Sequence, residues 1–372
     1  MENKRLYYID WLRVLAFGLL FIFHAVRFFD SYPWHVKNIE SSVWADHFVL
    51  FTHTWRMPLI FLISGTGTYF ALRSRKRRFL RDRIQRLVIP FVFGIIVLIP
   101  PQKYLEAIHH SVFEGTFWSF MKIYPSGVFD ANIGINLIWT GHLGYHIWYL
   151  AYLFVQTLVF LPLFKYLAGI QNKISSIKPN LIHLSALILP FVLIEFLLRP
   201  LFPSYLDWAD FGLYSLYFFY GFLFHIHKDF IRIIERYGYL FLSVGIICWI
   251  TYVCNREMLD QISYPQYSVQ YLFSLLLKNV NSFAWVISIL AMGKKFLNLS
   301  HSLLPGLNRG ILPFYILHQT VLIMIGYYVI QWDLTITEKF ILILTVSFIA
   351  TVGMYQIIRR MKYLRPLFGM GK

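Results

Sequence analysis

The chain has 372 residues, of which 58% are hydrophobic and 19% are aromatic. These fractions exceed what a soluble domain needs to build a core, so the composition predicts an integral membrane protein. A formal net charge of +16 is also compatible with nucleic-acid binding. Each basic cluster flanks a long apolar run, however, so we expect no nucleic acid among the partners.

Ten stretches are apolar over roughly the 20 residues that a membrane-spanning helix needs. They lie, in chain order, at 8–29, 47–72, 87–108, 142–166, 181–200, 210–227, 238–254, 267–292, 310–331 and 338–358. The runs are long and continuous rather than short and alternating, which indicates helices and not a β-barrel. The predicted fold class is all-α, a polytopic integral membrane bundle of about ten transmembrane helices.

The distribution of lysine and arginine predicts the topology, because these residues accumulate in cytoplasmic loops. With a cytoplasmic N-terminus, the ten runs place 24 of the 34 basic residues on the cytoplasmic side. Both termini are therefore predicted to be cytoplasmic, in a multi-pass protein of the inner or plasma membrane. The first run is too long for a signal peptide and lacks a cleavage site, so it is expected to stay as a helix. We interpret residues 1–372 as a single domain.

The first run, IDWLRVLAFGLLFIFHAVRFFD, carries Asp10, Arg13 and His24. Eleven residues complete about three helical turns, so Arg13 and His24 share one face, roughly 16 Å apart along the axis. Ionisable groups inside membrane segments are usually functional, and the pattern predicts a polar stripe along a cavity. The alternative is that His24 lies at the outer headgroups while Arg13 snorkels inward, which requires no function.

The second run opens with FTHTWRMPLIFLISGTG, which contains His53 and Arg56 at its outer end. Pro58, Gly65 and Gly67 in the same stretch permit a bend or a close approach of another helix.

The third run begins with RDRIQRLVIPFVFG, in which Arg83 and Arg86 are three positions apart at the predicted cytoplasmic end. Two guanidinium groups so placed suit a phosphate or pyrophosphate, because each can bind two oxygens at once. Anchoring to anionic lipid explains the pair equally well.

Further polar residues lie in later runs, namely His146, Lys278, His318 and Gln319. Lone groups of this kind more often hydrogen-bond a neighbouring helix than react, and that is their expected role. The histidines are scattered singly instead of at ligand spacing beside carboxylates, so we predict no metal site.

Several motifs in chain order together resemble those of the membrane acyltransferase-3 family. They are Arg13-x10-His24, MPLIFLISG, Arg83-x-x-Arg86 followed by LVIPFVFG, GHLGYHIWYL (141–150) and LPFYILHQT (312–320). The resemblance covers essentially the whole chain and is strongest to the branch that contains glucan-modifying succinyltransferases. Thr320 stands where proline is expected in that branch.

The resemblance implies transfer of an acyl group, acetyl or succinyl in class, from cytoplasmic acyl-CoA to a hydroxyl of an envelope glycan or a lipid-linked sugar. It makes His24 essential and places Arg83 and Arg86 on the donor side. The residue positions agree, because the arginine pair lies at the predicted cytoplasmic face and His24 lies in the outer half. Arg13 lies on the helix face expected to line the path of the pantetheine arm.

Neutral imidazole accepts protons near neutral pH, so we expect His24 to act as the general base, with an acyl-histidine intermediate as the alternative. A partner from another helix is expected to orient it, and Glu195, acidic within an apolar run, is the first candidate. The weaker candidates are Asp46, His142 and Asp207. Arg56 or His53 is expected to stabilise the oxyanion.

Two other classes of function compete with this interpretation. A transporter or flippase that moves a lipid or sugar would explain the helices and buried charges, but the chain has no inverted repeat. A structural subunit of an envelope complex would explain none of the buried charges. The partners expected of the acyltransferase are acyl-CoA as donor, the glycan or lipid-linked acceptor, and membrane lipid.

Overall fold

The computed structural model describes residues 5–74, 78–129, 137–255 and 267–371. Within these ranges the chain forms helices joined by turns and loops, and no described segment is a β-strand. Nine helices of this part of the chain are long and apolar enough to cross a membrane. The predicted all-α, multi-pass membrane fold is confirmed.

The helices of six or more residues are numbered in chain order, and helical segments interrupted by a turn are numbered separately. They are α1 (Tyr7–Val26), α2 (Val43–Ser74), α3 (Phe79–His109), α4 (Phe117–Phe129), α5 (Ile138–Gly144), α6 (Trp148–Gly169), α7 (Leu181–Ala186), α8 (Leu189–Leu198), α9 (Trp208–Ile226), α10 (Lys228–Cys254), α11 (Val269–Phe296), α12 (Leu304–Val329) and α13 (Ile336–Ile358).

The predicted run at 210–227 forms helix α9, but this helix is less apolar than the nine candidate spans. It contains Asp210 and His225 among many aromatic residues, and 13 of its 19 residues are buried. A helix covered by protein does not need a continuous apolar surface toward lipid. The buried position of α9 therefore accounts for its mixed composition.

Helix α3 contains two wide π-helical turns, at Ile84–Val88 and Gly94–Leu98. Each wide turn ends two residues before a proline, Pro90 in the first case and Pro100 in the second. In a regular α-helix a proline ring presses against the carbonyl four residues earlier, and a wide turn relieves that clash. The proline pattern thus gives α3 its irregular turns, one of which carries Arg86.

The described chain divides into two compact units, with boundaries inside α1, α2, α6 and α12. The first unit is formed by Met1–Ala16, His53–Lys76 and Val155–Leu304. Its tightest packing joins α2 to α9, where a Cβ added to Gly65 would lie 1.8 Å from the Phe218 carbonyl oxygen. A Cβ on Gly221 would likewise lie 1.9 Å from the Leu62 oxygen. The close approach predicted at Gly65 is therefore confirmed.

The second unit is formed by Phe17–Thr52, Arg77–Phe154 and Pro305–Lys372. Its core includes the fully buried Phe28 and Phe29, which pack among side chains from the last two long helices, α12 and α13. The C-terminal turn packs on α3, where the Phe368 ring meets the Phe93 ring at 5.2 Å. The prediction of a single domain over residues 1–372 stays a prediction.

Candidate functional site

Helices α1 and α12 bring two histidines together in the second unit. Nδ1 of His24 lies 2.9 Å from Nε2 of His318, and the two rings stack with their centroids 5.1 Å apart. His318 is 1% exposed, whereas His24 is half-buried. His24 therefore has one ring edge against a buried partner while the residue keeps some access from outside.

The hydrogen bonds of His318 assign the tautomer of both rings. Nδ1 of His318 faces the backbone oxygen of Tyr315, which can only accept, so Nδ1 carries the proton. With that proton on Nδ1, Nε2 of the neutral His318 ring is an acceptor. His24 must donate to it from Nδ1, which leaves Nε2 of a neutral His24 as the unprotonated, basic nitrogen. Such an arrangement can orient a general base without a carboxylate.

A third histidine, His146, supports the backbone that holds His318. Its Nε2 faces the Ile316 oxygen at 3.0 Å, so Nε2 is the protonated nitrogen. The Tyr315 hydroxyl in turn donates to the His146 carbonyl, and the His146 and His318 rings meet edge to face at 5.1 Å. The hydrogen bonds predicted for His146 and His318 are confirmed, and those of His146 fix the turn of α12 whose carbonyl sets the His318 tautomer.

The loop after α1 places an indole beside His24. The ring of Trp34 lies nearly parallel to the His24 ring, with centroids 6.2 Å apart and an angle of 8° between the planes. Such an offset stack fixes the plane of the imidazole. Trp34 lies outside the predicted spans, and its role was not apparent from the sequence.

A buried ion cluster holds this loop in place. The carboxylate of Asp30, fully buried, accepts from Nη1 of Arg27 and from Nζ of Lys37, each at 2.6 Å. Nζ of Lys37 also donates to the Arg27 carbonyl at 2.9 Å. Burial raises the pKa of Asp30 and lowers the pKa of Lys37, while each charge opposes the shift of the other. The cluster fixes the two ends of the segment that carries Trp34.

The hydrogen bonds of Thr320 explain why threonine is accommodated at the position where proline was expected from the family resemblance. Its hydroxyl donates to the Leu98 oxygen at 3.0 Å and accepts from Nε2 of Gln102 at 2.8 Å. Nε2 of Gln319 donates to the same Gln102 side chain at 3.2 Å. A proline at position 320 has no side-chain polar group, so this buried link between α12 and the second wide turn of α3 depends on threonine.

Arg13 belongs to the first unit, where Asp10 and Gly67, both singled out in the sequence analysis, lie beside it. Nη1 of Arg13 lies 3.9 Å from Asp10, which also accepts from Arg5 at 2.7 Å. A Cβ added to Gly67 would lie 3.2 Å from Nη2 of Arg13, so the glycine leaves room for the guanidinium. The predicted common face of Asp10 and Arg13 is confirmed, and a role in donor binding stays a prediction.

The predicted donor pair, Arg83 and Arg86, lies inside α3, which begins at Phe79 rather than at residue 87. Arg86 is exposed, and the Arg83 guanidinium lies over the Phe79 ring at 5.2 Å. The first wide turn begins directly after Arg83, so the two side chains are splayed further apart than in a regular helix. Their role toward CoA phosphates stays a prediction.

Glu195 forms an ion cluster in the first unit. Its two oxygens accept from Arg199 at 2.8 and 2.9 Å, and one of them accepts from Lys278 at 3.0 Å. Arg199 also donates to Asp210, which accepts from the Leu206 amide at 2.9 Å. These bonds tie α8 to α9 and α11. The predicted role of Glu195 in orienting His24 is untested, whereas His318 makes the direct contact.

The remaining predicted residues lie at separate places. Arg56 is 3% exposed within α2, and the ring of His53 meets Tyr205 at 5.4 Å. Asp46 accepts from Ser31, Asp207 caps the start of α9, and His142 lies 3.2 Å from Nζ of Lys103. The described ranges contain no group of three side chains able to hold a metal ion.

Comparison with known proteins identifies the class to which this membrane bundle belongs. The family model described as an acyltransferase domain matches residues 6–359. The chain belongs to the acyltransferase-3 family and is a multi-pass membrane acyltransferase.

Curated relatives point to one branch of the family. Glucans biosynthesis protein C of Escherichia coli K12 is 30% identical over 163 residues, which are 44% of this chain and 40% of that protein. The proteins of the same name from Escherichia coli O1:K1 and O157:H7 are 29% identical over the same shares. The matched region is thus less than half of either chain. No solved structure matches significantly.

Proposed function

We propose that this protein transfers an acetyl- or succinyl-class group from acyl-CoA on the cytoplasmic side to a hydroxyl of an envelope glycan or a lipid-linked sugar. The membrane is then the inner or plasma membrane. Membership of the acyltransferase-3 family supports the reaction class, and the name of the relatives, which refers to glucans, supports a saccharide acceptor.

The contact between His24 and His318 is the observation that carries the proposal. With Nδ1 donating to His318, Nε2 of His24 removes the proton of the acceptor hydroxyl as its oxygen attacks the thioester carbonyl. The tetrahedral intermediate collapses, the carbon–sulfur bond breaks, and the CoA thiolate takes the proton from His24. The products are an ester and free CoA, and both histidines return to their neutral state.

A covalent route uses the same nitrogen. Nε2 of His24 attacks the thioester, CoA leaves, and the acyl-histidine is transferred to the acceptor hydroxyl in a second step. The two routes differ in one measurable respect, because only the covalent route releases CoA in a burst before acceptor is added.

The other sequence-predicted residues keep their proposed roles. Arg83 and Arg86 bind the phosphates of CoA, and Arg13 lines the path of the pantetheine arm. Arg56 stabilises the oxyanion. Glu195 remains the first sequence-predicted candidate for orienting His24, and its ion cluster joins α8 to α11.

The test uses purified protein in detergent with labelled acyl-CoA and a glucan acceptor. We expect acceptor-dependent release of CoA that His24→Ala abolishes while CoA affinity, measured by calorimetry, is unchanged. His47→Ala is the matched control, because this histidine is exposed on α2 of the same unit. A flippase would release no CoA, and transfer by His24→Ala above a few per cent of wild type would remove His24 from the chemistry.

A further inference from the structure

A second polar cluster borders Trp34, whose ring also lies beside that of His24. The ring of Trp34 neighbours that of His35 at 5.4 Å, and the His35 ring stacks on Tyr145 at 4.3 Å with 12° between the planes. Nδ1 of His35 lies 3.1 Å from Oε2 of Glu106, to which the Tyr145 hydroxyl also donates. A continuous chain of contacts therefore runs from His24 to Glu106.

We propose that Glu106, with His35, Tyr145 and the neighbouring Lys103, binds the hydroxyl groups of a pyranose acceptor next to His24. The inference rests on the proposed function and deepens it by assigning the residues that recognise the acceptor.

The partial exposure of the cluster supports a binding role. The side chains of Glu106 and His35 are 29% and 21% exposed, so a ligand can reach them. Nδ1 of His35 and the Tyr145 hydroxyl both lie against the same oxygen, Oε2, and within the described ranges no hydrogen bond reaches Oε1. A carboxylate accepts through both oxygens, so Oε1 keeps capacity for a ligand hydroxyl.

The backbone at Tyr145 supports the same conclusion. Its φ is +46°, in the region that side-chain-bearing residues rarely adopt. Such strain persists only where surrounding structure enforces it, and it concentrates at functional sites. Here it turns the phenol toward Glu106 at the junction of α5 and α6.

The mixture of groups indicates a polyhydroxylated ring rather than an anion or an acyl chain. Lys103 lies over the Tyr145 ring at 5.2 Å, and its Nζ is 3.2 Å from His142. Donors and a carboxylate acceptor are thus within one cluster, and sugar hydroxyls can both donate and accept. A phosphate would be repelled by Glu106, and an apolar chain would leave the polar groups without hydrogen bonds.

The test is a cycle between Glu106→Gln and acceptors that lack one hydroxyl. Short glucose oligosaccharides and single-deoxy versions serve as probes, each free and as an alkyl glycoside. We expect Glu106→Gln to raise the acceptor KM about tenfold or more, with unchanged CoA affinity, because a charge-assisted hydrogen bond is lost. For one deoxy acceptor the wild type should show a similar loss and the variant almost none, since the two changes remove the same contact.

Glu114→Gln is the matched control, because this carboxylate is exposed in the loop after α3 and should leave the acceptor KM unchanged. Equal penalties for every deoxy acceptor in wild type and Glu106→Gln would overturn the proposal. If Glu106→Gln also loses CoA affinity and hence its fold, His35→Gln decides by the same criterion. An inactive wild type would refute the proposed function instead. A larger KM effect on the alkyl glycosides than on the free sugars would identify a lipid-linked acceptor.

Discussion

His24 and His318 are 294 positions apart in the chain, yet their ring nitrogens Nδ1 and Nε2 lie 2.9 Å from each other. In the familiar hydrolase arrangement a carboxylate holds the histidine in the correct tautomer. Here a second imidazole, itself fixed by the Tyr315 carbonyl, has that position. In the proposed mechanism His318 is therefore a positioning residue that acts through His24.

Replacement of His318 should lower turnover more strongly the less hydrogen-bonding capacity the new side chain keeps. His318→Gln keeps an oxygen that can accept from His24, whereas His318→Phe keeps only the ring volume. We expect kcat to fall about 10²-fold or more for phenylalanine and clearly less for glutamine, with KM values for both substrates unchanged. Steady-state kinetics check this. Equal losses in the two variants, or a change confined to KM, would show that His318 only fills space.

Variants of the arginine pair in α3 should show whether CoA is bound through the planar guanidinium groups or only through their positive charge. Replacing Arg83 and Arg86 together with lysine keeps the charge and removes the guanidinium fork, so CoA affinity should fall about tenfold or more. Calorimetry with CoA and with dephospho-CoA measures the loss and shows whether the 3′-phosphate is read. Arg81→Lys on the same exposed helix end is the control. Unchanged CoA affinity in the double variant would return the pair to a lipid-anchoring role.

The contact between α2 and α9 should tolerate no added methyl group. Gly221→Ala places a Cβ against a backbone oxygen of Leu62, and we expect a destabilisation of about 3 kcal/mol or more. Gly353→Ala in α13 meets no atom within 4 Å and should be neutral or stabilising by about 0.5–1 kcal/mol. Thermal unfolding in detergent, followed by tryptophan fluorescence, compares the two. A mild effect at position 221 would mean that the helices approach less closely than described.

Asp30→Asn should destabilise the loop that carries Trp34, and the loss should depend on pH. Lys37, 19% exposed, loses its buried partner, and we expect about 2–3 kcal/mol at neutral pH. Without the carboxylate that raised it, the Lys37 pKa falls further below its ordinary value in the folded state. A lysine pKa lowered by folding destabilises the charged form, so stability returns as pH rises toward the ordinary lysine pKa. The difference in unfolding midpoint between variant and wild type should therefore be smaller at about pH 10 than at about pH 7, while the lost pairing with Arg27 keeps part of it at both pH values. A constant difference would contradict the assigned pair.

The predicted sidedness can be tested by cysteine labelling in a variant whose two native cysteines, Cys248 and Cys254, are replaced by serine. Cysteines at the exposed positions Glu40 and Ser126 should react with an impermeant reagent in intact cells, whereas one at Ser74 should react only after permeabilisation. Lys37 lies in the same loop as Glu40 but is left unchanged in this experiment, because its ammonium group is bound to Asp30. Reaction at Ser74 from outside would invert the topology.

The sequence predicts the helices well because a backbone in lipid must satisfy its own hydrogen bonds, so long apolar runs leave few alternatives. It also predicts the shared face of Asp10 and Arg13, which depends only on helical periodicity. It does not predict the contact between His24 and His318, since no local pattern reports a partner 294 residues away. Trp34 was missed for a related reason, because its position depends on the ion cluster of Asp30 rather than on a helix. The LPFYILHQT motif was the available signal for His318, but the residue types alone indicated only helix packing.

The use of two neutral rings also determines when the site is charged. A carboxylate in place of His318, a residue 1% exposed, would hold a permanent charge at a position where ion burial costs several kcal/mol. With imidazole, the proposed mechanism places charge on the pair only while a proton is in transit between the acceptor and CoA. The free-energy cost of a buried charge thus arises only during the lifetime of the intermediate. This position of the bundle can enter the bilayer uncharged.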